Sequence, residues 1–527
     1  MNAETEYGKT YNFSEIKSRE DFVQQHPLTF ISHYKSYVDK MMEGKDDILT
    51  KDKPIIFAVT SGTSGTSSVL PMTQRQRINF FVQGVAVVYH SMLQAFPDSR
   101  KLQKSLKFFY TPRWRTCEAG VPVGPNSSSP TNTRQLLNVY STPKAGFEIL
   151  SEPEALYIHL LFGMKDKHIG MLEANFSSII LSSFKALDIH WKDIIEDIEK
   201  GRVNPNLKID DDVRNELDKV LKPDSSRAQE LREAFEGGPI GLAKRIWPNC
   251  HLMLAADSGS FELPANILRE TYCKNLPIYS PLYAASEGLL GVNVWPLKHP
   301  SHYLLAPKSM FFEFIPVEHC KEDQPATLFL DQVQLGEEYE LVISTAGGFW
   351  RYRFGDVVRV TGFYNQCPII EFMYRQGQFL NVRGEKTSES SFYQALSKAC
   401  ESWSDIKLVD YCCCESILID DQGSSWKSYA PTYYVFLELD GSGKLTAEQK
   451  NKIDEILAEQ SYVYKSFRNK GSIRPMVVKI VRPGTFKELR EFTIETTTAS
   501  ANQYKIPRTL KRKEAVNFVL DRVIKGD

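Results

Sequence analysis

Apolar and β-branched residues run together from residue 54 to 60 (PIIFAVT) and stop at a loop of Ser, Gly and Thr, the pattern of a short buried strand. Beyond that loop (61–68), Thr73 and Gln76 stand at capping-box spacing. Ile78, Phe81, Val82, Val85, Tyr89, Met92 and Phe96 then recur with helical period. The first unit is strand, polar loop, helix. Further on, helical patterns at 192–200 and 226–235 lie between strand-like runs at 250–256 and 276–282, which predicts an α/β section. Short, closely spaced strands at 311–317, 327–330, 340–344 and 357–363 predict an antiparallel section attached to it.

The pattern changes near residue 380. Residues 381–388 are polar and contain Gly384, the composition of a hinge. After it come a helix (389–401), strands (408–419 and 432–439), a helix capped by Thr446, a strand (476–481) and a final amphipathic helix ending at Val523. A chain of 527 residues exceeds what one hydrophobic core supports. Two domains are predicted: 1–380, with α/β and antiparallel parts, and a small α+β domain over 381–527.

With 64 basic against 65 acidic residues, the chain offers no charge excess to attract nucleic acid or a membrane surface. The basic run Arg508–Lys513 reads as the solvated start of the last helix. Nine cysteines form no disulfide or zinc spacing, and Cys412, Cys413 and Cys414 are expected to alternate between the faces of one strand, reduced, in a cytoplasmic protein. The ten histidines give no ligand cluster; His299 and His302 share a surface loop. The polar, acidic N-terminus is not a signal peptide, and no run has the roughly 20 apolar residues of a membrane span.

Four segments carry candidate chemistry. The loop from Thr60 to Ser68, with Ser61, Gly62, Thr63 and Ser64, packs Gly, Ser and Thr closely enough for backbone N–H groups and hydroxyls to surround a phosphate, though it lacks the Gly-Lys-Ser/Thr of a Walker loop. A flexible loop is the alternative. Tyr283-Ala-Ala-Ser286-Glu287-Gly288 ends a strand-like run, where an acid holds Mg²⁺ beside a ring that packs on a purine, or is simply an exposed glutamate. Asp356, after Gly355 at a turn in FWRYRFGD, either accepts hydrogen bonds from both hydroxyls of a ribose or pairs with Arg353. Lys505, in the polar loop 502–508, is either solvated or delivered late in the chain to a phosphate during adenylation.

The order of these segments resembles the Gretchen Hagen (auxin-responsive promoter) family of acyl acid amido synthetases, within the adenylate-forming, firefly luciferase-like superfamily. The resemblance runs from Tyr7-Gly-Lys-Thr-Tyr-Asn-Phe13 through Ser61-Gly-Thr-Ser-Gly65, Tyr283–Gly288, Tyr352-Arg-Phe-Gly-Asp356 and Arg359–Asn365. It continues through Gly384-Glu-Lys386-Thr-Ser-Glu389 to Asn502–Arg508. It implies an α/β fold: a large N-terminal domain with β-barrel and α/β sheet parts, capped by a small, mobile α+β domain carrying the phosphate-contacting lysines. It also implies that Ser61, Gly62, Thr63 and Ser64 cradle ATP phosphates, Tyr283 and Ser286 lie beside the adenine, Glu287 places Mg²⁺, Asp356 binds the ribose, and Lys386 and Lys505 reach the phosphates.

The implied reaction adenylates a carboxylic acid with ATP and transfers the acyl group to an amine, usually an amino acid. The implied partners are small molecules, and the protein is expected to act as a monomer. The acyl pocket is expected to draw on the helix after Thr73, residues 108–124 and residues 256–261, whose aromatic and aliphatic side chains fit an apolar acid. Thr66 and Val69 stand where many relatives carry Gly and Lys, and the chain begins almost at the Tyr7 motif. An acyl–CoA ligase, or a degenerate nucleotide-binding member, are the competing readings.

Overall fold

In the computed structural model the described residues are 1–59, 68–111, 114–126, 136–376, 379–380, 382, 387–403, 406–419, 431–440, 444–469, 472–497 and 504–524. Three helices (Glu6–Thr10, Arg19–Gln25, Ile31–Met42) lead to an antiparallel pair, β1 (Pro54–Val59) and β2 (Val69–Thr73). Thr73 then caps α1 (Gln74–Asn79): its hydroxyl accepts from the Gln76 amide while the Gln76 side chain accepts from the Thr73 amide, the predicted box. The helix runs through a π-helical turn, Phe80–Val85, into α2 (Ala86–Ala95). That wider turn resets the phase of the apolar stripe. Met92 and Phe96 are buried as expected, together with Val88, whereas Ile78, Phe81 and Val82 are exposed.

A parallel sheet follows. Strands β3 (Ser105–Lys107), β4 (Met171–Phe176), β5 (Leu252–Ala256) and β6 (Ile278–Tyr279) lie side by side in chain order. Helices α3 (Glu152–Lys165), between β3 and β4, α4 (Ser177–Lys200), after β4, and α5 (Glu262–Glu270), after β5, pack around it. The strands are mostly apolar because helices bury them, and Leu106, Leu172 and Met253 share one core with Ile158, Leu161, Ile180 and Phe184. Each such side chain contributes about 1.5–3 kcal/mol on burial.

The antiparallel part comprises β7 (Leu282–Ala285), β8 (Gly288–Val292), β9 (Tyr303–Leu305), β10 (Met310–Pro316), β11 (Leu328–Phe329), β12 (Glu338–Thr345), β13 (Tyr352–Tyr364) and β14 (Cys367–Arg375). Their order across the sheet is β11-β10-β12-β13-β14-β9-β8-β7. The sheet packs against β1 and β2 and their short partner Pro122–Gly124 around Phe57, Leu70, Val123, Phe312, Leu341 and Val358, so the barrel-like part is two sheets closed on one core. Asp356 is not at a turn, as the sequence pattern led us to expect. Gly355, at φ +86°, and an adjacent register shift let one strand of 13 residues bend through this point without ending.

The C-terminal part holds α6 (Glu389–Cys400), β15 (Lys407–Glu415), β16 (Tyr433–Asp440), α7 (Ala447–Gln460, capped by Thr446), β17 (Val477–Val481), α8 (Thr485–Thr496) and α9 (Lys513–Leu520). On β15, Cys413 faces one core with Tyr411, while Cys412 and Cys414 face a second core under α8 and α9. All nine cysteines are free thiols. The part docks on the larger one through Leu263 and Ile267 of α5, which enter the core beside Phe392, and through an Arg490–Glu152 ion pair at 2.7 Å. Among the described residues no helix is long and apolar enough to cross a membrane.

Candidate active site

Strands β7 and β8 form a tight hairpin in which Ala285 pairs with Gly288, leaving Ser286 and Glu287 as the two turn residues. Gly288 adopts φ +142°, and a Cβ there would press on the Met310 methyl at 3.3 Å, so the turn closes only with glycine. Ser286 is half-buried, and Glu287 is 8% exposed. The Gln76 side chain donates to the Glu287 carbonyl at 3.2 Å, tying the hairpin to the helix that follows the loop at 61–68. Burial pushes the Glu287 carboxyl above the usual carboxylate range, against the pull of nearby Arg375.

Strand β13 presents Asp356 to the same space. Its neighbours in sequence are already committed: Arg351 pairs with Glu313 at 2.9 Å and Arg353 with Glu340 at 2.7 Å, all four side chains being buried. Arg353 is therefore not the partner of Asp356. That partner is Arg375, its register neighbour on β14, whose guanidinium donates to Asp356 Oδ1 and to the Phe354 carbonyl, each at 3.0 Å. The Tyr283 hydroxyl donates to Asp356 Oδ2 at 2.7 Å. Burial and the adjacent carboxylate hold the Tyr283 phenol far above its usual range, so it remains a donor. Two of the roughly four lone-pair sites of a carboxylate are thus used to orient Asp356, and two stay available.

Lys505 reaches this space from the C-terminal part. Its segment is pinned to β15, because the Cys413 amide donates to the Arg508 carbonyl at 2.7 Å and the Leu510 amide to the Cys413 carbonyl at 2.8 Å. Arg508 is buried, pairs with Asp410 and lies 4.5 Å over the Tyr411 ring, which corrects its reading as a solvated residue. Lys505 Nζ lies 5.9 Å from the Phe176 ring centroid at the end of β4, and that ring stacks on Phe261. The surrounding protein and the charge of Arg375 hold the amine below the usual lysine range, while Asp356 and Glu287 oppose them; since Lys505 opens on the cleft, water limits the effect.

Five of the candidate residues are thus described, and Tyr283, Glu287, Asp356 and Lys505 converge, with Ser286 between Tyr283 and Glu287. Ser61, Gly62, Thr63, Ser64 and Lys386 lie outside the described residues. Arg375 was missed. A turn at Asn365-Gln366 would have revealed it, since eight residues back from Tyr364 and eight forward from Cys367 bring Asp356 and Arg375 opposite one another.

Family models describing the GH3 family N-terminal, central and C-terminal domains match residues 1–278, 303–375 and 390–514. A mouse GH3 domain-containing protein is 38% identical over 69% of this chain, and a human one 37% identical over 71%. Those matches span 65% and 66% of the relatives' own lengths, a little under two thirds. The Arabidopsis thaliana indole-3-acetic acid-amido synthetase GH3.4 is 28% identical over 99% of this chain and 89% of its own. The solved structure of the GH3.15 acyl acid amido synthetase superposes with a TM-score of 0.87 at 26% identity, covering 99% of this chain and 91% of that one. The chain is a member of the GH3 family.

Proposed function

We propose that the protein is an ATP-dependent acyl acid amido synthetase, which activates a carboxylic acid as its acyl-adenylate and passes the acyl group to the amine of an amino acid. The observation that carries this reading is the convergence of Asp356, Glu287, Tyr283 and Arg375, from one sheet, with Lys505, from the C-terminal part, on a single cleft. Relatives aligned along nearly the whole chain are named as an indole-3-acetic acid-amido synthetase and a 4-substituted benzoates-glutamate ligase.

The roles follow from the chemistry of each group. Asp356 has two free acceptor sites for the hydroxyls of a ribose, and Tyr283 and Arg375 fix its plane. Mg²⁺ is commonly held by one or two carboxylates together with substrate phosphates, and the Glu287 carboxylate, with no cation at ion-pair distance among the described residues, fits that habit. Bound there, Mg²⁺ would supply positive charge to the phosphates. The acid's carboxylate oxygen attacks the α-phosphorus and the bond to pyrophosphate breaks; Lys505 neutralises the charge that builds up on the phosphate oxygens. Ser61, Gly62, Thr63, Ser64 and Lys386 add to the phosphate contacts, as the family resemblance implies. The amine nitrogen then attacks the acyl carbon, the bond to AMP breaks and the nitrogen loses a proton. Rotation of the C-terminal domain about residues 381–388 withdraws Lys505 between the two halves.

Incubation with ATP, Mg²⁺, a panel of acids and a mixture of amino acids, read by mass spectrometry, tests the reading. It predicts an amide and AMP in equal amounts. Acyl-CoA with added CoA and no amide would reassign the protein to the acyl–CoA ligases, and bound nucleotide with no AMP would mark a degenerate member.

A further inference from the structure

Where the C-terminal end of β3 lies beside the middle of β4, the side chains of Lys107, Glu173 and Tyr140 meet, with Tyr89 of α2 near them. Lys107 on β3 and Glu173 on β4 are register partners, and Lys107 Nζ donates to Glu173 Oε1 at 2.6 Å. The same ammonium donates to the Tyr140 hydroxyl at 3.2 Å and lies 5.1 Å from that ring's centroid. The Tyr89 phenol, from α2, is held above its usual range by burial and then by Glu173 and Tyr140. The second carboxylate oxygen of Glu173, Oε2, is buried with no hydrogen-bond partner among the described residues. None of the four residues is sealed in: the Lys107 and Glu173 side chains are 24% and 13% exposed, and both tyrosines are half-buried.

The position of the cluster relative to the cleft gives it a reach. Glu173 stands three residues before Phe176 on β4, a span of about 10 Å along a strand, and Phe176 is the ring beside Lys505 Nζ. A carboxylate held at Lys505 for adenylation leaves Lys107, Tyr140 and Glu173 within the length, about 8–10 Å, of a small acid. An apolar end there would leave the ion pair partly desolvated and Glu173 Oε2 without a donor. A hydroxyl is both donor and acceptor, and satisfies the carboxylate and the ammonium together.

We propose that Lys107, Glu173 and Tyr140 form a specificity subsite for the acyl substrate, and that the substrate is a carboxylic acid bearing a hydroxyl at the end remote from its carboxylate. The inference rests on the amido synthetase reading and names the substrate class for it, replacing the apolar acid that the sequence pattern favours.

Matched acids test it: 3-(4-hydroxyphenyl)propanoate against 3-phenylpropanoate, and 6-hydroxyhexanoate against hexanoate, compared by kcat/KM in acid-dependent ATP–pyrophosphate exchange and by calorimetric binding to the same protein. The hydroxylated member of each pair is favoured by about 100-fold, the size expected of one hydrogen bond to a charged group. The double replacement Lys107→Met with Glu173→Leu removes both charges without stranding either one, so its fold should be preserved, which thermal melting checks. The double variant loses the preference, and Tyr140→Phe lowers it in part. Equal use of both members by the wild type, or a preference that survives in the double variant, overturns the subsite. Hydroxy-acid binding that is preferential but without exchange keeps the subsite and removes the adenylation reading instead.

Discussion

Replacing Asp356 with alanine removes the carboxylate to which the proposed ribose contacts are made, and the surrounding geometry sets the size of the effect. A hydrogen bond to a charged group contributes about 1.5–3 kcal/mol net of water. Two ribose hydroxyls at the lower figure give about 3 kcal/mol, or roughly 150-fold in the Kd for ATP. The variant also strands Tyr283 and Arg375, but that cost is shared by the free and bound protein and cancels in the affinity. The Arg375 side chain remains 34% exposed, so water can replace its lost partner and the fold survives. Asp356→Asn, which keeps one carbonyl oxygen, loses about half the free energy, roughly tenfold in Kd. Titration calorimetry with ATP and Mg²⁺ reads both variants. If folded Asp356→Ala binds ATP within threefold of the wild type, Asp356 does not hold the ribose, and the cleft has been assigned to the wrong ligand.

Three further predictions draw on other parts of the molecule. The half-buried Arg490–Glu152 pair joins the two parts beside the Lys505 segment; a pair of this exposure is worth about 1 kcal/mol. Arg490→Ala should slow pyrophosphate exchange about fivefold, and the charge swap Arg490→Glu with Glu152→Arg should recover it; undiminished exchange in the single variant removes the contact from the mechanism. Burial lowers His26 and His159 to about 4, so the folded state binds their protons less readily than the unfolded chain. Their contribution to stability is therefore complete above about pH 6.5 and lost as pH falls towards 4, by about 1.4 kcal/mol per pH unit for each. Urea unfolding of His159→Gln should show a shallower decline between pH 6.5 and 5 than the wild type, and an unchanged slope contradicts the assignment. Burial likewise raises the Glu287 carboxyl, so the Mg²⁺ concentration for half-maximal exchange should rise as pH falls and protonates it; Glu287→Gln should need the higher concentration at every pH, in exchange assays titrated with Mg²⁺.

Local signals made much of the fold legible. The Thr73–Gln76 capping box and the Thr446 cap both occur where the sequence places them, the latter completed by Gln449. The triple cysteine does alternate between two cores, as period-2 strand geometry requires. What escaped the sequence reading depends on contacts distant in the chain or on a break in period. Helix α8 begins at Thr485, directly after Pro483-Gly484, a pair that reads as a turn only. The exposed face of Ile78, Phe81 and Val82 follows from a π-helical turn that no residue type announces. Arg508 sits in a basic run, yet Asp410, 98 residues earlier, buries it and so anchors the Lys505 segment. At the site itself, residue types pointed to Tyr283, Glu287, Asp356 and Lys505 one by one. The cross-strand partner Arg375 and the Lys107–Glu173 pair needed the strand register.

The central claim is that an acid is adenylated in the cleft that Lys505 enters, and acid-dependent ATP–pyrophosphate exchange measures that step alone. Purified protein with Mg²⁺ and labelled pyrophosphate should exchange label into ATP only when a suitable acid is present. Lys505→Ala should lower that exchange by about 100- to 1,000-fold with ATP binding intact. Exchange at the wild-type rate in Lys505→Ala, or label entering ATP without any acid, would contradict the account.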